Sequence, residues 1–277
     1  MPLPPLQIAN LMRTNGLHAS KGLGQNFLQD DEILAKIVTA AQVTRQDDVL
    51  EIGPGLGSLT RHLALTAHSV TAIELDASLI PVLGDVLKPF GNVRVVQGDI
   101  LKLNPALLMP SGDYLVVANI PYYITSAVFR HLLENTPRPR RIALTIQKEV
   151  AERICARPGE MSLLALSVQV YGEPQISAEI PAEAFFPVPK VDSAIIRVNL
   201  YPEPRIPQES LETFFRLAKA GFSQKRKTLR NSLSAGLHIS AQQAETYLRQ
   251  SKIDPMRRAE TLSLEEWGEL CRITQAV

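Results

Sequence analysis

The chain has 277 residues, 45% of them hydrophobic and 21% charged, the balance of a globular protein rather than a disordered one. Its cysteines, Cys155 and Cys271, lack the spacing of a metal knot or disulfide framework and read as structural residues of a cytoplasmic protein, and no apolar run reaches the roughly 18 residues of a membrane helix. Net charge is +1, yet from Arg205 onward 12 Lys and Arg stand against 8 Asp and Glu, so the basic part is C-terminal and fits either a nucleic-acid contact or a solvated helical surface.

The opening MPLPPLQIANLMRTNG has no signal-peptide apolar block. DDEILAKIVTAAQV begins with acidic capping residues and repeats Ile33, Ile37 and Ala41 at helical spacing, which predicts a helix. From about residue 48, short Val- and Ile-rich runs alternate with helical patterns. DVLEIG precedes SLTRHLALTA, SVTAIE precedes ASLIPVLGDVL, and VRVVQGD follows; YLVVANI then precedes TSAVFRHLLE, and RIALTIQ precedes KEVAERI. This alternation predicts an α/β fold with a doubly wound, mostly parallel sheet. QISAEIPAEAFFPVPKVDSAIIRVNL reads as a strand, a proline-rich connection and another strand. YPEPRIPQ is a linker, and four helical patterns after it predict a small all-helical second domain, dividing the chain into 1–203 and 204–277.

The first strand runs into Glu51-Ile-Gly53-Pro-Gly55-Leu-Gly57-Ser58 and then a helix. Glycines in such a turn admit positive φ and let a ligand approach the backbone at a helix N-terminus. The dinucleotide fingerprint G-x-G-x-x-G is not met, which disfavours NAD. Glu74 ends the next strand, where a carboxylate can accept from both ribose hydroxyls, and Gly98-Asp99 ends the third, where a carboxylate can accept from an adenine amine. Together these three strand ends fit the adenosine of S-adenosylmethionine.

The fourth strand delivers NIPYYI to the same edge. The lone pair of an adenine amino group is delocalised into the ring. The Asn119 side-chain oxygen and the Ile120 carbonyl can accept its hydrogens and turn that lone pair toward a methyl donor; Pro121 fixes the backbone and Tyr122 stacks on the base. For these four residues alone, a turn with an Asx hydrogen bond and two core tyrosines is the competing reading.

Asn-x-Pro-Tyr resembles the motif of adenine-N6 methyltransferases. With GQNFL at 24–28, EIGPGLG from Glu51, IELD at 73–76, GDIL at 98–101, FFPVPKVDSAIIR from Phe185 and GFSQKRKTLRNSL from Gly221, the chain resembles the bacterial small-subunit rRNA adenine dimethyltransferases over nearly its whole length. The resemblance implies a Rossmann-like class I S-adenosylmethionine-dependent methyltransferase that dimethylates N6 of two adjacent adenosines in the 3′-terminal stem-loop of 16S rRNA in the small ribosomal subunit. In-line transfer at carbon calls for no metal, a monomer is the default expectation, and binding of an immature subunit adds a contribution to its biogenesis. The resemblance further implies a donor pocket of Gln25, Asn26, Leu28, Glu51, Gly53, Gly55, Glu74, Asp99, Ile100 and Asn119. Phe185 would sandwich the target base opposite Tyr122, whereas Phe186 reads as a core ring. Many relatives have Asn where this chain has Tyr123, so the role of that position stays open.

Lys225, Arg226, Lys227 and Arg230 form the densest basic cluster, suited to rRNA phosphates or to a solvated helix face. The five histidines have no ligand-like spacing. Two alternatives stand beside the main reading: a large-subunit (23S) rRNA methyltransferase of the macrolide-resistance type, and a non-catalytic ribosome-assembly factor.

Overall fold

Nine strands form among residues 3–275, which the computed structural model describes: β1 (Phe27–Leu28), β2 (Asp48–Ile52), β3 (Ser69–Glu74), β4 (Val93–Gln97), β5 (Tyr114–Asn119), β6 (Arg141–Gln147), β7 (Gly172–Ile180), β8 (Phe185–Phe186) and β9 (Ser193–Leu200). Seven of them make one sheet in the order β4-β3-β2-β5-β6-β9-β7. Strands β2 to β6 are mutually parallel, and β9 runs antiparallel to β6. The fold is thus α/β with a doubly wound, mostly parallel sheet. Helices Ser58–Thr66, Ile80–Leu87, Thr125–Glu134 and Lys148–Ile154 fall where the 3.6-residue period puts them.

A strand covered on both faces must be apolar at successive positions rather than at alternate ones. In β5, Tyr114 through Ala118 are all buried, and burial relaxes only at Asn119. The strand order reverses between β2 and β5, where no crossover helix closes the carboxyl edge. Asn119 therefore emerges at the crevice where such folds bind ligands.

Helix Asp31–Ala41 is capped by Asp30, whose side chain accepts from the Glu32 and Ile33 N–H groups. Its buried face, with Ile33, Ile37 and Ala41, packs into the same core as Val49, Leu63, Leu115 and Val117. Helices Pro105–Leu108 and Leu163–Gln169 were not foreseen, nor were two elements that border the site. Helix Ile8–Thr14 buries Ile8 and Met12 in a cluster with Phe27, Leu56, Leu79 and Val82. In addition, β1 pairs antiparallel with β8, with Phe27 opposite Phe186 and Leu28 opposite Phe185.

The chain divides into two compact units: the chain through Ala151 together with Gln175–Leu200, and Glu152–Pro174 together with the chain from Tyr201. This differs from the division at 203/204 in that Glu152–Pro174 groups with the C-terminal helices. Helix Leu163–Gln169 packs against Leu211–Phe222, and backbone hydrogen bonds join the same segments. The N–H groups of Gly159 and Met161 donate to the Glu260 carbonyl, those of Tyr201 and Arg205 to the Tyr171 and Val170 carbonyls. Within this unit, helices Leu211–Phe222, Leu229–Leu237, Ala241–Gln250 and Leu264–Gln275 follow one another, and the fully buried Trp267 of the last stacks on Phe222 of the first at a ring separation of 5.8 Å. Among the described residues no helix is long and apolar enough to cross a membrane, and no group of three or more His, Cys, Asp or Glu is placed to hold a metal ion.

Candidate active site

A cavity of about 240 Å³ opens at the carboxyl ends of β2, β3 and β5, and every residue expected in the donor and reaction sites lines it. The glycine turn after β2 supplies its floor. Gly53 has φ +69°, and the space where a side chain would stand holds only the Asn119 carbonyl, 3.8 Å away. Gly55 has φ +59°, and a Cβ there would meet the Phe27 ring at 2.9 Å. Both the backbone conformation and the close packing require glycine at Gly55.

Three carboxylates face this cavity in different states. Glu74 is buried, accepting from the Gly55 N–H at 2.9 Å and from the Asp76 N–H at 2.8 Å. Burial nevertheless outweighs those bonds and raises its pKa. Asp99 accepts from the Leu101 N–H at 3.0 Å and lies 3.6 Å from the exposed Lys102 ammonium. Glu51 is 1% exposed, and its Oε2 has no hydrogen-bond partner. Burial pushes its pKa up to about 8, and the neighbouring Glu74 charge adds to the rise.

The raised Glu51 pKa makes stability depend on pH. Between its ordinary value of 4.5 and about 8, the native protein holds a proton that the unfolded chain has released. Stability therefore falls as pH rises through this window, by about 1.4 kcal/mol per pH unit. Glu51→Gln, which mimics the protonated acid, is expected to remove this decline, so that the ligand-free variant gains on the wild type between about pH 5 and about pH 8.5. Denaturant midpoints at the two pH values check it; parallel profiles would rule it out.

The segment before β1 closes over the turn like a strap. The Gln25 side chain accepts from the Ser20 N–H at 2.7 Å and donates to Asp76 Oδ2 at 2.8 Å, so both ends of its amide serve to anchor the strap. The Asn26 amide donates to the Gly24 carbonyl, while the Asn26 carbonyl accepts from Asn119 Nδ2 at 3.1 Å. That bond fixes the orientation of the Asn119 amide and leaves Oδ1 as its acceptor. Leu28 and Ile100 are buried apolar lining.

At the reaction end, Pro121 (φ −57°, ψ 134°) leads into a short 3₁₀ turn, Tyr122–Ile124. The Tyr122 hydroxyl lies 2.7 Å from Ser193 Oγ on β9. Burial raises the Tyr122 pKa, with the Asp192 charge adding to it and the Ser193 bond offsetting part. The ring is thus pinned at its far end while it lines the cavity. Phe185 also lines the cavity, but it is 1% exposed and belongs to the core cluster that contains Leu28 and Ile180. Phe186 is the less buried of the pair.

Sequence reasoning missed Ser193 and Asp76 as the anchors of Tyr122 and Gln25. Both sit inside quoted motifs, as polar residues beside an apolar run, but periodicity gives no sign of their partners. Lys225, Arg226 and Lys227 are exposed on a turn between two helices rather than on a helix face, and Arg230 lies 3.8 Å from Glu245. All four belong to the unit that does not contain the cavity.

Comparison with known proteins places the chain in a family. A family model described as ribosomal RNA adenine dimethylase matches residues 16–275. Ribosomal RNA small subunit methyltransferase A of Dehalococcoides mccartyi is 46% identical over 269 residues, 96% of this chain and 92% of the relative. The protein of the same name from Lysinibacillus sphaericus is 40% identical over 276 residues, 96% of this chain and 94% of the relative. Among solved structures, the 23S rRNA methyltransferase ErmE is similar with TM-score 0.72 at 30% identity, covering 90% of this chain and all of its own. A dimethyladenosine transferase from Plasmodium falciparum is similar with TM-score 0.69 at 27% identity, covering 88% and 95%. With the family model and these relatives spanning nearly its whole length, the chain belongs to the ribosomal RNA adenine dimethylase family.

Proposed function

We propose that the protein transfers methyl groups from S-adenosylmethionine to N6 of two adjacent adenosines in the 3′-terminal stem-loop of 16S rRNA, giving N6-dimethyladenosines. It acts as a cytoplasmic monomer on the small subunit and contributes to its biogenesis. The carrying observation is the Asn119 amide, held by the Asn26 carbonyl in the cavity that Glu51, Glu74 and Asp99 also line.

The residues present fit the donor. The space at Gly53 admits a ligand against the backbone, and Glu51 Oε2 is buried without a hydrogen bond; a cationic ammonium group brought beside it would draw off the proton that burial retains and pair with the carboxylate. Glu74 accepts from the Gly55 and Asp76 N–H groups, and a carboxylate has about four acceptor sites, which leaves acceptors for ribose hydroxyls. Asp99 is placed for an adenine amine, and Gly55 and Ile100 complete the wall, with Leu28 and the Gln25-Asn26 strap above. When bound, the donor supplies an electrophilic methyl on sulfur.

The chain's own residues position the acceptor. Asn119 Oδ1 and the Ile120 carbonyl take the two N–H hydrogens and turn the nitrogen lone pair toward the methyl, Pro121 sets the carbonyl direction, and the rings of Tyr122 and Phe185 flank the base. An adenine can enter only after leaving its stack, which costs least in a loop. Lys225, Arg226, Lys227 and Arg230 in the helical unit contact rRNA phosphates. Higher identity to the small-subunit relatives than to the 23S enzyme favours 16S rRNA as the substrate.

Incubating the protein with small subunits that lack the modification and with labelled donor should yield N6,N6-dimethyladenosine in 16S rRNA, located by primer extension. Label confined to 23S rRNA when large subunits are offered, or no dimethyladenosine at all, would overturn this reading.

A further inference from the structure

Tyr123 follows the pinned Tyr122 in the same 3₁₀ turn, yet the residue is 63% exposed, and among the described residues it is the aromatic one of the exposed large hydrophobics. Singly exposed large side chains are ordinary on a protein surface, so the exposure matters here only because the ring stands at the edge of the cavity. The ring is not loosely placed. It lines the cavity from the exposed side, and its Cδ1–Cε1 side rests against Gly24 of the strap. A Cβ at Gly24 would stand 3.2 Å from those two ring atoms and 3.3 Å from the Pro121 Cβ, and Gly24 itself has φ +60°. The strap is thus shaped to back the ring on one side, and the rest of it faces outward.

The neighbouring geometry says what such a ring serves. Tyr122 lines the cavity where the target base enters, and consecutive residues lie about 3.8 Å apart along the chain. A base extruded from a loop leaves the next base without a stacking partner, and a preorganised aromatic surface beside the entry point replaces that partner without regard to sequence. We propose that Tyr123 is a stacking platform for the nucleobase directly next to the target adenine, holding the strand at the cavity while the target is inserted. This rests on the RNA-methylating function proposed above.

The test uses the full chain with small subunits lacking the modification, comparing wild type with Tyr123→Ala, Tyr123→Leu, Tyr123→Phe and Tyr123→Trp. Donor affinity is measured separately by calorimetry with S-adenosylmethionine. Loss of one base-aromatic stack is expected to lower kcat/KM for subunits by about 5- to 150-fold in the Ala and Leu variants, mainly through KM. Phe and Trp should restore it, and donor affinity should stay within about twofold. Leu keeps an apolar group against Gly24, so a merely packing role would leave the Leu variant active. Wild-type kcat/KM in the Ala or Leu variant, or a loss matched by an equal loss of donor affinity, would overturn the proposal. Failure of the wild type itself to methylate subunits would instead refute the proposed function.

Discussion

Replacing Asn119 by alanine is expected to lower methyl transfer by about 10²- to 10³-fold, the scale seen when one preorganised polar group is removed from a reacting centre. The fold should survive, because the residue is only half-buried and its side chain gives up a single bond, to the Asn26 carbonyl, among the described residues. Binding to small subunits should survive as well, since phosphate contacts dominate affinity for nucleic acid. Asn119→Asp makes the test sharper. An aspartate retains an acceptor oxygen but cannot donate to the Asn26 carbonyl, so the orientation is lost and the variant should be defective too. Single-turnover transfer rates beside subunit-binding measurements check both expectations. Wild-type turnover by Asn119→Ala would remove the amide from the chemistry.

Phe185→Ala is expected to cost about 3–5 kcal/mol of stability, because a buried ring in a packed cluster leaves a cavity that the surroundings fill only in part. Its neighbours include Leu28, opposite it in the β1–β8 pair, so loss of the ring also loosens the strand that carries the strap. Phe185→Leu keeps most of the volume and should cost less than about 1.5 kcal/mol. The two variants separate packing from catalysis. If the ring also flanks the target base, the Leu variant folds normally but shows a raised KM for subunits. Denaturant midpoints read the first effect and steady-state kinetics the second. An Ala variant with a wild-type midpoint would show that the ring carries no core packing.

Much of the architecture was legible because its causes are local. Continuous apolar runs in YLVVA and RIALT dictate strands buried on both faces, and the 3.6-residue repeat of Ile33, Ile37 and Ala41 dictates a helix with one buried face. The glycine turn after Glu51 and the amide after YLVVA were readable for the same reason: residues that break an apolar pattern at a strand end mark where the chain leaves the core. The helix Ile8–Thr14 escaped notice because it exposes most of its short length and buries only Ile8 and Met12. The β1–β8 pair escaped because two residues per strand carry no period. Residues 152–174 grouped with the C-terminal helices through backbone hydrogen bonds and through packing of helix Leu163–Gln169 against Leu211–Phe222, both set by tertiary placement rather than by local pattern.

The sequence by itself determined the parallel sheet, the crossover helices and the strand-end groups Gly53, Glu74, Asp99 and Asn119, since each follows from propensity, periodicity and spacing along one stretch of chain, whereas Gln25, Asn26, Leu28 and Phe185 came only from the resemblance to a family. Only the tertiary structure decided how those groups are held: the Asn119 amide by the Asn26 carbonyl, Tyr122 by Ser193, Gln25 by Asp76, and Tyr123 against Gly24. The first three join residues 51 to 93 positions apart, and the fourth spans a comparable stretch. A hydrogen bond or contact across such a separation depends on where the sheet places both partners, and no local pattern encodes that placement.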